Sequence, residues 1–466
     1  MGFKDFRDYL DSLEKHGLLV RVKKEVDVKF EIAAGIRKIC DNNGPALLYE
    51  NIKGHPGWKA VGGLFGTRRL TAFALEIEED ENKMMKRYLD FESQRVKPVH
   101  VKTGPVKDVI IKGDDVDLSK LPIPTYCEHD AGPYITAGVD IARHPDTGAQ
   151  NVTILRRMPL NKNTTSTTVG QMFDLDKMIR AAEEKGQGLG VATVMGVHPS
   201  LTLASQIKVP LGVDEIEIAG AMRGRPFEVV KCETIDVDVP VDAEVVIEGN
   251  FVPGERIPDG PFGEYPGNYI SLSKFVGREN DARLEGHVIK VTAITMRKDP
   301  IYHAMATGMV PTENHYLKKW AYLALIYKTI ASVVPYPDDI RGLNLTVGGC
   351  CNFHLVVSIH KRIESTPRNI IYSIAGMAIQ AVGHVVVVDE DIDVYDPVQV
   401  EWATATRVRP DRDIIIIPPV EPAPEAISRA PIYTYKWSID ATAPITEEPW
   451  LYSRAVPPGV DKVDFI

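Results

Sequence analysis

The chain has 466 residues, room for two or three domains with substantial cores, and its 44% hydrophobic and 25% charged residues are the balance of a soluble globular protein. A formal net charge of -10 and the lack of a long Lys/Arg run argue against nucleic acid as a main partner. No apolar stretch reaches the roughly 18–20 residues of a spanning helix, and charges interspersed among Phe3, Phe6, Tyr9, Leu10 and Leu13 do not read as a signal peptide, so a cytoplasmic protein is expected.

Residues 4–17 read as a helix closed at Gly17, followed by a strand at Leu18–Val22, a helix at Glu31–Asn42 and a strand at Ala46–Tyr49. From about Val99 to Val291 the texture changes to short β-prone runs broken by Gly and Pro, which suggests a barrel or sandwich-like sheet. One helix interrupts it at Leu175–Lys185, with Asp174 placed to cap it and Gly186 to end it. The run Gly186–Gly190 follows that helix instead of preceding one, so it reads as a helix stop and not a phosphate loop. After about residue 310 an alternating α/β pattern follows. Its expected elements are Leu317–Val333, Phe353–Ile359, Asn369–Val382, His384–Val388, Val398–Arg407 and Ile414–Ile417. The five cysteines lack metal-site spacing and read as reduced thiols, with adjacent Cys350 and Cys351 expected on opposite sides of an extended segment.

The stretch Asp259–Tyr269, DGPFGEYPGNY, carries two carboxylates, Asp259 and Glu264, on a shaped Gly/Pro loop. They suit proton chemistry, or are solvated turn acids. Two upstream segments are candidates to meet them. Gln150–Arg157, QNVTILRR, is a β-prone strand ending in cations that suit a carboxylate, although such an Arg is also an ordinary surface charge. Leu203–Arg223 places Glu215 near a helix start, where the dipole alone explains an acid. His198 reads as structural, and His303 and His315 are pocket candidates that also suit structural roles.

Seven strings, taken in order, resemble the UbiD family of prenylated-flavin-dependent decarboxylases over nearly the whole chain. They are QNVTILRRM with Lys162 and Asn163, VPLGVDEIEIAGAMRG, IEGNFVP, DGPFGEYPGNY, YHAMATGMVP, VVVVDEDIDVYDPVQVEWATATRVRP and SIDATAP. The resemblance implies a mixed α/β (α+β) fold. Residues 1–300 would form a prenylated-FMN-binding domain with a split β-barrel from about residue 100, 310–440 an α/β oligomerisation domain, and 441–466 a tail.

It also implies a reversible, non-oxidative decarboxylase of an aromatic, heteroaromatic or α,β-unsaturated acid. The alternatives are the same chemistry on an acyl-CoA or phosphorylated acid, or a non-catalytic flavin-binding subunit. The family triad falls on Arg156, Asp259 and Glu264, with Glu264 as proton donor and Asp259 one methylene shorter than the commoner Glu. Prenylated FMN would contact Asn151, Thr153, Ile154, Leu155, Arg156, Ser205 and Glu215. Manganese or magnesium would take Asn151 and Glu215, and potassium the carbonyls near Ala149, Ala204, Ser205 and Ile207. The family's remaining metal ligand, a histidine, aligns near Asp174, which serves equally as a hard ligand or as an N-cap. The implied partners are CO2, a flavin prenyltransferase that supplies the cofactor, and further copies of the chain as a dimer or hexamer.

Overall fold

A computed structural model describes residues 2–170, 173–263, 284–308, 311–377, 382–420 and 434–463. The chain forms two compact units, the first running to Leu325 and the second beginning at Ile326. Among the described residues no helix is long and apolar enough to cross a membrane.

The first unit opens on the helix Phe6–Lys15. Asp5 caps it by accepting from the Asp8 amide at 2.9 Å, and Phe6, Tyr9, Leu10 and Leu13 recur at helical spacing on its buried face. Gly17, at φ 69°, then turns the chain into the strand Leu19–Val22. That strand begins a four-stranded sheet with Ala46–Tyr49, Lys59–Gly62 and Ile301–His303.

The second and larger sheet has eight strands, built on the long antiparallel pair Val245–Asp259 and Leu284–Met296. Gly190–Met195, Val139–Arg143 and Gln150–Ile154 extend one side, Thr164–Thr167 and Met158–Asn161 extend the other, and Val109–Lys112 is the eighth, paired with Leu284–Met296. The path is open, yet its two ends are neighbours in the chain, joined by Leu155-Arg156-Arg157. Long β-prone runs are bent here by register shifts, one of them between Phe251 and Arg256.

The second unit is a five-stranded sheet. His354–Ile359, His384–Asp389 and Thr434–Ala441 run parallel in its centre, and Ile340–Leu345 and Ile414–Val420 pair antiparallel at its edges. Two of these central strands, His354–Ile359 and His384–Asp389, are near-continuous Val/Ile runs, as expected for strands covered on both faces. The helices Thr366–Ala375 and Pro397–Arg407 belong to the same unit.

Two local expectations are corrected. Cys350 and Cys351 do not flank an extended segment; both are buried in a turn at left-handed φ of 54° and 51°. The turn follows from Thr346, whose carbonyl accepts from the Cys351 and Gly349 amides and folds the Gly-rich run back on itself. Asp174 is the first residue of the helix Asp174–Glu183 and not its cap; that position falls to Phe173, which makes no capping bond.

Candidate active site

Asp259 ends the long strand Val245–Asp259 and is 2% exposed, so it is no solvated turn acid. Its carboxylate accepts from Thr168 Oγ1 at 2.9 Å and Ser166 Oγ at 3.1 Å. Burial pushes its pKa up, while those two hydroxyls and the charge of Arg156 act against the rise. Gly286 is required beside it, because a Cβ there would lie 2.7 Å from the Asp259 Cβ.

The turn that follows is held from below. Gly260 sits at φ 107°, a conformation that suits glycine. The Gly263 amide donates to Asp130 at 2.8 Å, the Ala131 amide to the Pro261 carbonyl at 3.1 Å, and Phe262 is buried against Tyr134 and Met158. Glu264, the second acid of the pair, lies outside the described residues.

The tandem arginines separate by the two-residue alternation of extended chain. Arg157 is 2% exposed and grips buried Asp140 through Nη2 at 2.8 Å and Nε at 3.1 Å, and Thr193 adds a third contact at 2.7 Å. Its backbone bridges Ile135 in both directions. With Arg157 anchored, Arg156 is turned to the other side, where its guanidinium stacks 3.6 Å from the centroid of Phe262 and 5.4 Å from that of Tyr134. Arg156 lines a cavity within the first unit together with Thr153, Ile154 and Ser205, four residues expected at a cofactor. The lining also holds Lys208 and Lys318, so this cavity has three cations and, among the described residues, no carboxylate.

Next to the cavity, Glu215 opens the helix Glu215–Met222, which Asp214 caps through the Ile216 amide at 2.8 Å. The Glu215 carboxylate accepts from the Val152 amide at 3.2 Å and faces the Asn151 amide nitrogen at 3.5 Å. Burial pushes its pKa up to about 8, with the negative charges of Asp214 and Asp174 adding to the rise.

A divalent ion held by Asn151, Asp174 and Glu215 needs three donors aimed at one point. Asn151 and Glu215 are together, but Asp174 is directed to Lys177 Nζ at 2.7 Å. The donor set therefore does not fit a divalent ion. Ala204, Ser205 and Ile207 are buried at the end of the short helix Pro199–Ala204, while Ala149, expected beside them around potassium, caps a turn whose carbonyl accepts from His144 at 2.8 Å. Leu155 is half-buried against the core around Leu175 and Met178.

The histidines take structural places. His198 is 2% exposed and bonded at both ring nitrogens, to Ser200 and to the Phe3 carbonyl. His303 lies buried between Phe6 and Phe65, and His315 Nδ1 accepts from the Thr312 amide at 3.2 Å. Sequence reasoning missed the Asp259 donors Ser166 and Thr168, although the five-residue run Thr164–Thr168 of hydroxyl side chains was a visible signal. It also missed Glu313. Fully buried, its carboxylate takes the Ala306 amide at 3.1 Å and the Phe65 amide at 3.4 Å, fixing the segment that brings Met305 and Thr307 to the cavity wall. Burial pushes its pKa up to about 7 against those amides.

Comparison with known proteins matches the fold. The 3-octaprenyl-4-hydroxybenzoate carboxy-lyase models match in all three parts: the N-terminal domain over residues 10–89, the Rift-related domain over 97–310 and the C-terminal domain over 315–441. The chain belongs to the UbiD family. It is thus a carboxy-lyase of mixed α/β fold. Among UbiD-class structures, HmfF from Pelotomaculum thermopropionicum in complex with FMN is 38% identical with a TM-score of 0.87, over 99% of both chains. The closed form of vanillic acid decarboxylase from Sedimentibacter hydroxybenzoicus is 28% identical with a TM-score of 0.85, over 99% of this chain and 98% of that one. Anhydromevalonate phosphate decarboxylase of Methanothermobacter thermautotrophicus is 33% identical over 94% of this chain and 97% of its own length.

Proposed function

We propose that this UbiD-family enzyme is a reversible, non-oxidative decarboxylase of an aromatic, heteroaromatic or α,β-unsaturated carboxylic acid, working with prenylated FMN in the Arg156 cavity. The observation that carries the reading is Asp259, a dry carboxylate under the field of Arg156, which itself lines a cavity with three cations and, among the described residues, no acid. That lining suits an anionic group with a flat ring system, and FMN and prenylated-FMN complexes of HmfF support it.

Loss of CO2 breaks a C–C bond and leaves its electron pair on an unsaturated carbon, and a proton must then reach that carbon. The prenylated flavin supplies the electron sink, since no side chain here can act as one. Arg156, held flat on Phe262, orients the substrate carboxylate. Asp259, fixed by Ser166 and Thr168, keeps Arg156 in place and balances its charge. Glu264 delivers the proton to the carbon that lost CO2, and takes it back when CO2 is added. Met305 and Leu317 keep water from the reacting carbon. The manganese, magnesium and potassium implied by the family resemblance are not needed for any of these steps. In the cell the reading requires a flavin prenyltransferase as supplier, and a dimer or hexamer as the working assembly.

A second reading keeps the chemistry and changes the substrate to a phosphorylated unsaturated acid. Two lysines beyond Arg156 favour it, as does the 33% identity to anhydromevalonate phosphate decarboxylase.

The test is co-expression with a flavin prenyltransferase, anaerobic purification, and CO2 release from a panel of unsaturated acids with and without a phosphate. Turnover in the wild type with loss in Glu264→Gln is expected. Full activity in Glu264→Gln would remove Glu264 from the role of donor.

A further inference from the structure

Asp130 ties together two turns, one of which carries Phe262, the ring on which Arg156 lies. Its own turn, Cys127 to Asp130, is closed at both ends. The Asp130 amide donates to the Cys127 carbonyl at 3.1 Å, and Asp130 Oδ2 accepts from the Cys127 amide at 2.7 Å and the Tyr126 amide at 3.2 Å. The other oxygen, Oδ1, accepts from the Gly263 amide at 2.8 Å, across 133 residues of chain. One carboxylate thus organises its own turn and grips the second.

The two turns approach closely. A Cβ on Gly263 would lie 2.6 Å from the Cys127 Cβ and 3.1 Å from the Asp130 nitrogen, so glycine is the residue that fits there. The Pro261 carbonyl accepts from the Ala131 amide at 3.1 Å and from the Tyr134 hydroxyl at 3.4 Å. Phe262 therefore has a pinned residue on each side of it. The Arg156 guanidinium lies 3.6 Å from its ring centroid, and the Tyr134 ring completes the cradle at 5.7 Å from Phe262 and 5.4 Å from Arg156.

We propose that Asp130 is a positioning residue for Arg156, acting through the Gly263 amide and the Phe262 ring. The inference rests on the role given to Arg156 above and deepens it. Asn in this place cannot do the same work. Its NH2 group must face either the Gly263 amide or the Cys127 and Tyr126 amides, donor against donor, so one of the two turns is released.

The experiment labels the purified full chain with phenylglyoxal, a guanidinium reagent, and follows the rate at each arginine by peptide mass spectrometry. Wild type, Asp130→Asn, Gly263→Ala and Phe262→Leu are compared. Arg157, 2% exposed and held by Asp140, is the internal control for general loosening. Asp130→Asn should speed labelling of Arg156 roughly tenfold, the size of one lost charge-assisted hydrogen bond, and leave Arg157 unchanged. Gly263→Ala, which wedges the turns apart without touching the carboxylate, should act in the same direction. Phe262→Leu should also speed Arg156, and adding Asp130→Asn to it should change the rate by less than about twofold, because both act along one path. With prenylated flavin bound, Asp130→Asn should cut turnover of a panel acid roughly 10- to 100-fold, but less than about threefold in an Arg156→Lys background.

Equal labelling of Arg156 in wild type and Asp130→Asn overturns the assignment. So does equal speeding of Arg156 and Arg157, which would mean that the whole fold has loosened. A turnover loss as large in the Arg156→Lys background as in the wild type also overturns it, since Asp130 would then act elsewhere. If Asp130→Asn does not fold, Gly263→Ala decides by the same labelling. If the wild type turns over no panel acid, the decarboxylase reading fails, and the labelling rates still decide whether Asp130 holds Arg156.

Discussion

Replacing His198 by Asn exchanges a buried neutral imidazole for a side chain that does not titrate. In the wild type Nδ1 accepts from the Ser200 amide at 3.2 Å, so the ring proton sits on Nε2 and faces the Phe3 carbonyl at 3.2 Å. Desolvation and the nearby Arg223 pull the pKa of this imidazole from 6.5 down to about 3. The unfolded chain therefore binds a proton that the folded chain refuses. The neutral imidazole's contribution is complete above the unfolded value of 6.5 and is lost as pH falls from there towards 3. Linkage makes the loss about 2 kcal/mol between pH 7.5 and pH 5, and about 5 kcal/mol once both states are protonated.

Asn keeps an acceptor for the Ser200 amide but loses the bond to Phe3 and the ring packing at 6.2 Å from Phe3 and 6.1 Å from Phe227. The variant should start about 2 kcal/mol less stable near pH 7.5. Urea unfolding of both proteins at several pH values between about 7.5 and 5 measures the difference, and every other histidine cancels in it. The gap is expected to close to near zero at about pH 5. A gap that stays constant would falsify the claim that folding excludes the proton from this ring.

Other substitutions address the site and its frame. Gly286→Ala places a methyl 2.7 Å from the Asp259 Cβ, and a shift of up to about 1 Å in that carboxylate should cost roughly 10- to 100-fold in turnover. Unchanged turnover in a folded Gly286→Ala protein means the position of Asp259 does not matter. Arg157→Met strands Asp140 without its buried partner and should lower stability by about 3–5 kcal/mol. Arg156→Lys should instead leave the unfolding midpoint nearly unchanged and cut turnover; equal stability losses in the two would contradict their division of labour. Glu81→Ala leaves Lys319 Nζ and Trp320 Nε1 without the acceptor they meet at 2.8 Å and 2.7 Å. A fall of about 3–5 kcal/mol is expected by thermal unfolding, and a loss below about 1 kcal/mol would mean the pair finds solvent.

Much of this architecture was legible before any coordinates. The Val/Ile runs of the second unit and the Gly/Pro-broken strands of the first carry their periodicity openly, and so did the family strings. What escaped was information that exists only between segments. Thr168 and Ser166 became Asp259's donors because Thr164–Thr167 pairs with Leu284–Met296, the strand that also faces Val245–Asp259. Asp174 failed as a cap because the helix begins one residue earlier than the acid's preference suggests, at Asp174 itself, leaving its carboxylate for Lys177. Cys350 and Cys351 looked extended because vicinal residues alternate in a strand, but Thr346 closes a turn there.

The anchoring of Arg157 on Asp140 has a consequence for how this gene can change length. Arg157 is fixed in the core while its neighbour Arg156 lines the cavity, so in this extended segment the two are told apart by parity. Insertion or deletion of a single residue in that segment would send Arg156 into Asp140's place and Arg157 into the cavity, or leave both misplaced. Changes of two residues would preserve the parity. Descendants of this chain should therefore vary freely in the lengths of their surface turns while this segment tolerates only even steps.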